Sequence, residues 1–314
     1  MLRFLGRRLL LAVPTLLGVS LIVFVTAKLV PGDPVASLVG PLAPEAARRE
    51  LISRLGLDQP VAVQFGTWLW NLAQGRLGTS IQLQLPVLDV IVPAFGNTAL
   101  LAFAGALIAF TGAVALGSAG AFSSRSGPRR LGSGLSFLAM SVPPYSVALL
   151  LVVVFAVGFP VLPAGGMQDP INGGGTADLL RHLILPAIAV AVIPMGVIAR
   201  MLQATLAEVL SGDPITAMRA RGLSRAAIAG HALHNALPSL LTIAGLQLAY
   251  LVGGVVFVET IFSWPGLGQA LYNAIASRDL PLVQGGVLVI AVSFVVINIV
   301  VDGAHALIDP RVRR

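Results

Sequence analysis

The chain reads as an all-α membrane protein with six transmembrane helices, on three observations. Of its 314 residues 56% are hydrophobic and only 11% charged, and the mean hydropathy is +0.91, far too apolar for a soluble domain. Long uncharged runs recur along the sequence, each able to supply the roughly 20 residues that a helix needs to cross the hydrocarbon core. The basic residues gather in the segments that an even number of crossings would leave on one side. The chain has no cysteine, which excludes disulfides and thiolate metal sites.

Taken in order, the first eight residues carry Arg3, Arg7 and Arg8 and precede the uncharged run 9–27. That run exceeds the about 7–15 residues of a secretory signal core, so it is read as a retained first span, although Val25-Thr26-Ala27 resembles a cleavage site. Residues 31–96 contain Pro31, Pro34, Pro41, Pro44, Pro60, Pro86 and Pro93, leave no room for a full span, and form a long outer loop. Within the loop, 44–55 has amphipathic spacing, with Ala47, Leu51, Ile52 and Leu55 on one face and Gly56 as a stop. Trp68 and Trp70 suit a membrane interface, so the loop is expected to lie on the bilayer and pack over the spans.

The second span is expected at 98–122, followed by a short basic loop with Arg125, Arg129 and Arg130. The third, 132–157, is interrupted by Pro143-Pro144. Adjacent prolines break a helix and free carbonyls that neighbours or water must satisfy, so this region either lines a path or serves plain helix packing. After a loop rich in Gly and Pro at 159–180 comes a fourth span at 182–201 with Pro186 and Pro194. A fifth follows at 237–258, an outer segment at 259–282, a sixth span at 283–305 and a tail at 306–314. The division is therefore 1–30 for the N-terminus and first span, 31–96 for the outer loop, 97–305 for the core and 306–314 for the tail.

The stretch 208–238 between the fourth and fifth spans is the most distinctive. At about 30 residues it exceeds the usual helix–helix connection. Asp213 and Pro214 form a helix start, with Pro214 at the tolerated first position. Gly222 suits the left-handed position just past a helix end and Ser224 the N-cap of the next helix, so a short helix is expected over 214–221. It presents Met218, Arg219, Ala220 and Arg221, with Leu223 and Arg225 around the turn.

The basic residues fix the side. Arg3, Arg7, Arg8, Arg125, Arg129, Arg130, Arg200, Arg219, Arg221, Arg225, Arg311, Arg313 and Arg314, 13 of the 20, fall on the side of the termini if there are six spans. That side is then cytoplasmic, with 208–238 facing the cell interior. The single lysine, Lys28, sits in Thr26-Ala27-Lys28-Leu29 and not in a phosphate-binding loop, so ATP-driven work requires another polypeptide.

Other constellations favour ordinary readings. His231 and His234 are three apart on a helix without a carboxylate partner or a His-Glu-x-x-His pattern, so a packed or loop-facing pair is preferred to a metal site. No Gly-x-Ser-x-Gly is present, and no nucleophile–base set suggests an enzyme. Glu259 and Asp302 are the acids closest to the spans; each either lines the path or reaches water at a span end. A stand-alone secondary transporter is the alternative, but such carriers show intramembrane charges and paired repeats.

The 208–238 stretch, with Arg219-Ala220-Arg221-Gly222-Leu223-Ser224 and His231-Ala232-Leu233-His234-Asn235-Ala236-Leu237, resembles the EAA loop of ABC importer permeases of the dipeptide, oligopeptide and nickel branch. Gly245-Leu246-Gln247, Glu259-Thr260-Ile261-Phe262-Ser263-Trp264-Pro265-Gly266-Leu267-Gly268, Arg278-Asp279-Leu280-Pro281, Val283-Gln284-Gly285 and Asp309-Pro310-Arg311 continue the likeness. So do Pro31-Gly32-Asp33-Pro34, Leu55-Gly56-Leu57-Asp58-Gln59-Pro60 and Leu77-Gly78-Thr79-Ser80, which point to the B-type subunit. Thr216-Ala217-Met218 departs from Glu-Ala-Ala, and the segment between Gly222 and His231 is one residue short.

The resemblance implies a type I importer permease of six spans in a bacterial inner membrane, both termini cytoplasmic, with no cofactor or metal of its own. It implies ATP and Mg on two partner ATPase subunits, a second permease subunit, an extracytoplasmic solute-binding protein, and di- or oligopeptides, haem, nickel chelates or glutathione as cargo. It assigns ATPase coupling to Asp213, Met218, Arg219, Ala220, Arg221, Gly222, Leu223, Ser224 and Arg225. Pro143, Pro144, Pro194 and Glu259 are the candidates for the pathway or its kinks.

Overall fold

Each apolar run in the sequence becomes helix. The structure, a computed structural model, describes residues 2–29, 44–54, 56, 58–123, 126–169 and 174–308. Along these the helices are α1 (Leu2–Leu29), α2 (Glu45–Arg54), α3 (Val61–Ala73), α4 (Val87–Phe122), α5 (Ser126–Ser141) and α6 (Pro144–Val152). A π-helical turn (Val153–Gly158) extends α6, and α7 (Thr176–Ser211), α8 (Asp213–Ala220), α9 (Arg225–Ile261), α10 (Leu267–Ala276) and α11 (Leu280–Ile308) complete the order. Pro31-Gly32-Asp33-Pro34, Leu55, Leu57, Arg125, Gly173 and the tail from Asp309 through Arg311, Arg313 and Arg314 lie outside the described residues.

Among the described residues four helices are long and apolar enough to cross a membrane: Gly6–Leu29, Val87–Phe122, Thr176–Ser211 and Leu280–Ala304. Two bent pairs, Gly132–Ser141 with Pro144–Gly158 at 103° and Arg225–Leu251 with Gly253–Ile261 at 46°, make six when each pair is counted as one broken span. The order matches the six expected spans, but two details differ. α4 begins at Val87 rather than near 98, because burial of Val87 and Ile91 outweighs the backbone hydrogen bond that Pro93 cannot make. The Pro143-Pro144 break is also sharper than a kink: Pro143 is extended and Pro144 opens a new helix at its first position.

The chain forms two compact units, one built on Gly96–Gln269 and the other on Arg7–Phe95 with Ala270–Ser293. In the first, α7 is the central helix, with Leu185, Ala187, Ala189, Ile198, Ala199, Leu202 and Leu206 all buried. Small residues let helices approach it closely. A Cβ on Gly117 would come within 2.8 Å of the Ala199 carbonyl, and one on Gly196 within 2.8 Å of the Ser136 carbonyl. That is how helices associate where lipid removes the hydrophobic drive. Large apolar side chains such as Phe103, Leu150 and Phe257 stay exposed, as a lipid-facing surface requires.

In the second unit, α3 packs on α1 through aromatic rings, with Phe24 5.3 Å from Phe65 and 5.7 Å from Trp68 between centroids. Lys28 hydrogen-bonds Gln64 and lies 5.9 Å from the Phe24 ring centre, while Trp70 on the other face of α3 is exposed. A short antiparallel bridge, Thr79 to Pro86, closes the loop before α4. That loop is held by Asp279, which is buried and accepts from the Ser80 hydroxyl and from the Ile81, Gln82 and Leu282 amides.

Candidate functional site

The corner between α7 and α9 is built from local signals. Only Gly212, extended at φ −78°, ψ 158°, separates α7 from α8, and Pro214 sits in the first turn, where its missing N–H costs nothing. The other end is closed by two backbone bonds, Gly222 N–H to the Arg219 carbonyl at 3.0 Å and Leu223 N–H to the Met218 carbonyl at 3.2 Å. With Gly222 at φ +74°, this is a Schellman closure, which satisfies the last carbonyls of α8. A side chain at 222 would have space, since nothing lies within 4 Å of its Cβ position; the positive φ is what requires glycine. Two residues later Ser224 caps α9, its hydroxyl accepting from the Ala227 amide at 3.3 Å.

One side of the corner is anchored and the other is open. Ile215 on α8 and Ile228 on α9 are buried, and Ala232 and Ala236 pack with Leu202 and Leu206 of α7. Asp213, Arg219, Ala220, Arg221, Gly222, Ser224 and Arg225 are exposed, with Met218 and Leu223 half-buried. The expected coupling residues are therefore exposed or half-buried along the turn. The guanidinium groups of Arg219, Arg221 and Arg225 stand exposed there beside the half-buried Met218 and Leu223. His231 and His234 are exposed on α9, and among the described residues no cluster of three metal-ligating side chains exists.

At the opposite end of α9 lies a polar knot around Glu259, the acid expected either to line the path or to reach water; here its carboxyl is enclosed by protein. Glu259 is 0% exposed. Its carboxyl oxygens accept from the Thr98 hydroxyl at 2.6 Å, the Gly268 amide at 2.7 Å and the Gln269 amide at 3.1 Å. Thr98 in turn accepts from the Leu267 amide at 2.7 Å. The buried Trp264 donates its indole N–H to the Asn97 carbonyl at 3.0 Å, and Asn97 returns a bond from its amide to the Pro265 carbonyl at 2.8 Å. Glu259 thus serves the free amides of the first turn of α10, as a cap does, but from a different helix. Gly266 and Gly268 are required by space, because a Cβ on either would run into the carboxyl group. The signal available in the sequence was the Pro265-Gly266-Leu267-Gly268 run after an acid at a span end. It did not reveal Thr98 or Asn97 as the partners.

The candidate pathway residues are spread over the first unit. Pro143 is exposed, Pro144 half-buried and Pro194 buried within α7. Near the break between α5 and α6 opens an apolar cavity of about 310 Å³, lined by Leu116, Leu135, Ala139, Val142 and Met195 among others. Pro144 lines a smaller crevice with Val190, Tyr250 and Val258. Asp302 is half-buried on α11.

Six apolar helical passages with a capped, exposed corner between the fourth and fifth define a multi-pass membrane protein of transporter type. The chain belongs to the family of binding-protein-dependent transport system inner membrane components: that family's description fits residues 113–314, and its N-terminal region fits residues 1–102. It is a permease subunit of an ABC importer. It is 37% identical to the dipeptide transport system permease protein DppB of Alkalihalophilus pseudofirmus, covering 100% of both chains. It is 38% identical to the di/tripeptide transport system permease protein DppB of Pseudomonas aeruginosa, over 100% of this chain and 99% of that one. The fold is shared with the inward-facing MetNI methionine ABC transporter at a TM-score of 0.57 and 21% identity, over 71% of this chain and 97% of that chain.

Proposed function

We propose that this chain forms half of a translocation pathway for di- or oligopeptides and is worked from the cytoplasm through the corner at 208–238. Two ATPase subunits grip the strip from Asp213 to Arg225, a second permease subunit completes the pathway, and a solute-binding protein delivers cargo from the other side. Both termini and the corner are cytoplasmic, in keeping with the excess of arginine in those segments. Peptide cargo is supported by the full-length relatives, whose names specify dipeptides and tripeptides.

The observation that carries the coupling role is the way the corner is built. The end of its short helix is closed by the Schellman bonds and the start of the next by the Ser224 cap, while Arg219, Arg221 and Arg225 stand exposed. Such a turn keeps its shape while presenting side chains, as a docked lever requires. ATP-driven closure of the ATPase pair moves α8, and α7 and α9 carry the displacement into the bilayer.

The test is Gly222→Val in the assembled transporter. A β-branched residue at φ +74° costs about 1–2 kcal/mol of local strain, enough to deform the turn without unfolding the spans. Membrane insertion is expected to stay normal while ATP hydrolysis continues with uptake reduced. Unchanged uptake per ATP overturns the coupling role. Uptake by this chain alone in liposomes would instead support a stand-alone carrier.

A further inference from the structure

One helix joins the Gly222 corner to the Glu259 knot. α9 has 37 residues, about 55 Å measured along its axis, and it bends by 46° between Leu251 and Gly253. It is held by Ala232 and Ala236 near its start and by Leu251, Val255 and Val258 in the main core near its end. A displacement applied at Ser224 therefore has a packed route to Glu259.

We propose that Glu259 and Thr98 are positioning residues for transport. They fasten the far end of α9 to α4 and to the first turn of α10, so that motion entering at the corner leaves as movement of one body. The proposal rests on the ATP-coupled reading above and names where the motion is delivered.

Three features separate this knot from an ordinary helix cap. A cap needs only a Ser, Thr, Asp or Asn beside the helix it serves. Here the capping carboxyl comes from nine positions back, and the hydroxyl that shares the task comes from 169 positions away. Next, the same few residues tie in a further segment, since Gly166 donates its amide to the Phe262 carbonyl at 2.7 Å. Finally, Ser263 within the knot holds φ +49°, a conformation that persists only where its surroundings enforce it. A buried carboxyl with several donors is harder to accommodate than packed apolar side chains. Its gain is geometric: a hydrogen-bond network fixes orientation as well as separation.

This chain has no cysteine of its own, so two can be introduced at chosen positions for labelling in a complete transporter whose other subunits carry none. Spin labels are placed on Phe103→Cys and Phe257→Cys, exposed positions on α4 and α9, and the distance between them is measured with and without trapped ATP. Uptake of a labelled alanine dipeptide per ATP hydrolysed is measured alongside. The chain with both knot residues intact should give one narrow distance, the same in both states. Glu259→Gln turns an amide N–H₂ toward donors, and Thr98→Val removes the shared hydroxyl; each should broaden the ATP-state distance and lower uptake per ATP roughly tenfold. Thr98→Ser, which keeps the hydroxyl, should restore both values, as a change in general packing would not. Should Glu259→Gln fail to reach the membrane, the Val and Ser pair at 98 decides.

A distance that changes with ATP in the intact knot overturns the proposal, because the knot then opens during the cycle. Intact uptake per ATP in Glu259→Gln and Thr98→Val overturns the fastening alone and leaves the corner's role to Gly222→Val. No ATP-dependent uptake by the unaltered transporter overturns both.

Discussion

At its first turn α9 is capped by its immediate neighbours in sequence, whereas in its last turn Glu259 is bonded to a hydroxyl 161 positions away. The corner closes its turn with bonds among its own residues and leaves its charged side chains in the open. The knot buries its one carboxyl completely and draws on two other chain segments, at Thr98 and at 268–269, to satisfy it. An exposed surface whose shape is locally encoded can meet a partner and separate from it without disturbing the fold. A buried network cannot be opened cheaply, since each donor left unmet costs about 1–3 kcal/mol. The two ends of one helix are therefore matched to different tasks, contact at one and transmission at the other.

The hardest blow to this contrast is at Gly266. Its Cβ position coincides with the Glu259 carboxyl group, so Gly266→Ala must displace either the turn or the carboxyl and break bonds to Thr98 and α10 together. We expect a loss of about 3 kcal/mol, read as a lower unfolding midpoint of the purified protein in detergent. Gly222→Ala, with open space around it, should cost about 1 kcal/mol by backbone strain alone. Equal losses at the two glycines would erase the distinction between a spatial and a conformational requirement.

Asp279 sharpens the comparison, because it is a second buried carboxyl that gathers donors from a distant segment. Asp279→Asn must turn an amide toward one pair of donors and should cost about 2 kcal/mol. The expected signature is faster hydrogen exchange at the Ile81 and Gln82 amides, with uptake per ATP unchanged. Exchange as slow as before would show that the carboxyl does not hold the loop. A fall in uptake per ATP as large as that of Glu259→Gln would mean that buried carboxyls stabilise this protein without any specific link to α9.

The same contrast explains what could be read from the sequence. Gly222, Ser224 and Pro214 act through φ, a hydroxyl and a missing N–H on residues next to them, so the short helix expected at 214–221 is found at Asp213–Ala220. The six spans were equally legible, because hydropathy needs no partner. The start of α4 was not, since burial of Val87 and Ile91 against other segments overrode the local signal of Pro93. Nor were the roles of Thr98 and Asn97: a threonine and an asparagine at the outer turns of a span carry no mark of the residues, more than 160 positions on, that complete them.

The mildest change tests whether the corner is as local as it looks. Ser224→Ala removes one acceptor, leaving the Ala227 amide to water, which reaches it because the N-cap is exposed. The cost should be about 1 kcal/mol or less, spread over fraying of the first turn of α9 and not over the spans. Hydrogen exchange should rise at Ala226 and Ala227 and stay unchanged from Ala232 onward, where α9 is packed on Leu202 and Leu206. Uptake per ATP should fall only slightly, because the Schellman closure at Gly222 still orients α8. If the increase in exchange reached Leu251 or Glu259, the two ends of α9 would share one folding unit, and the division between a local corner and a long-range knot would fail.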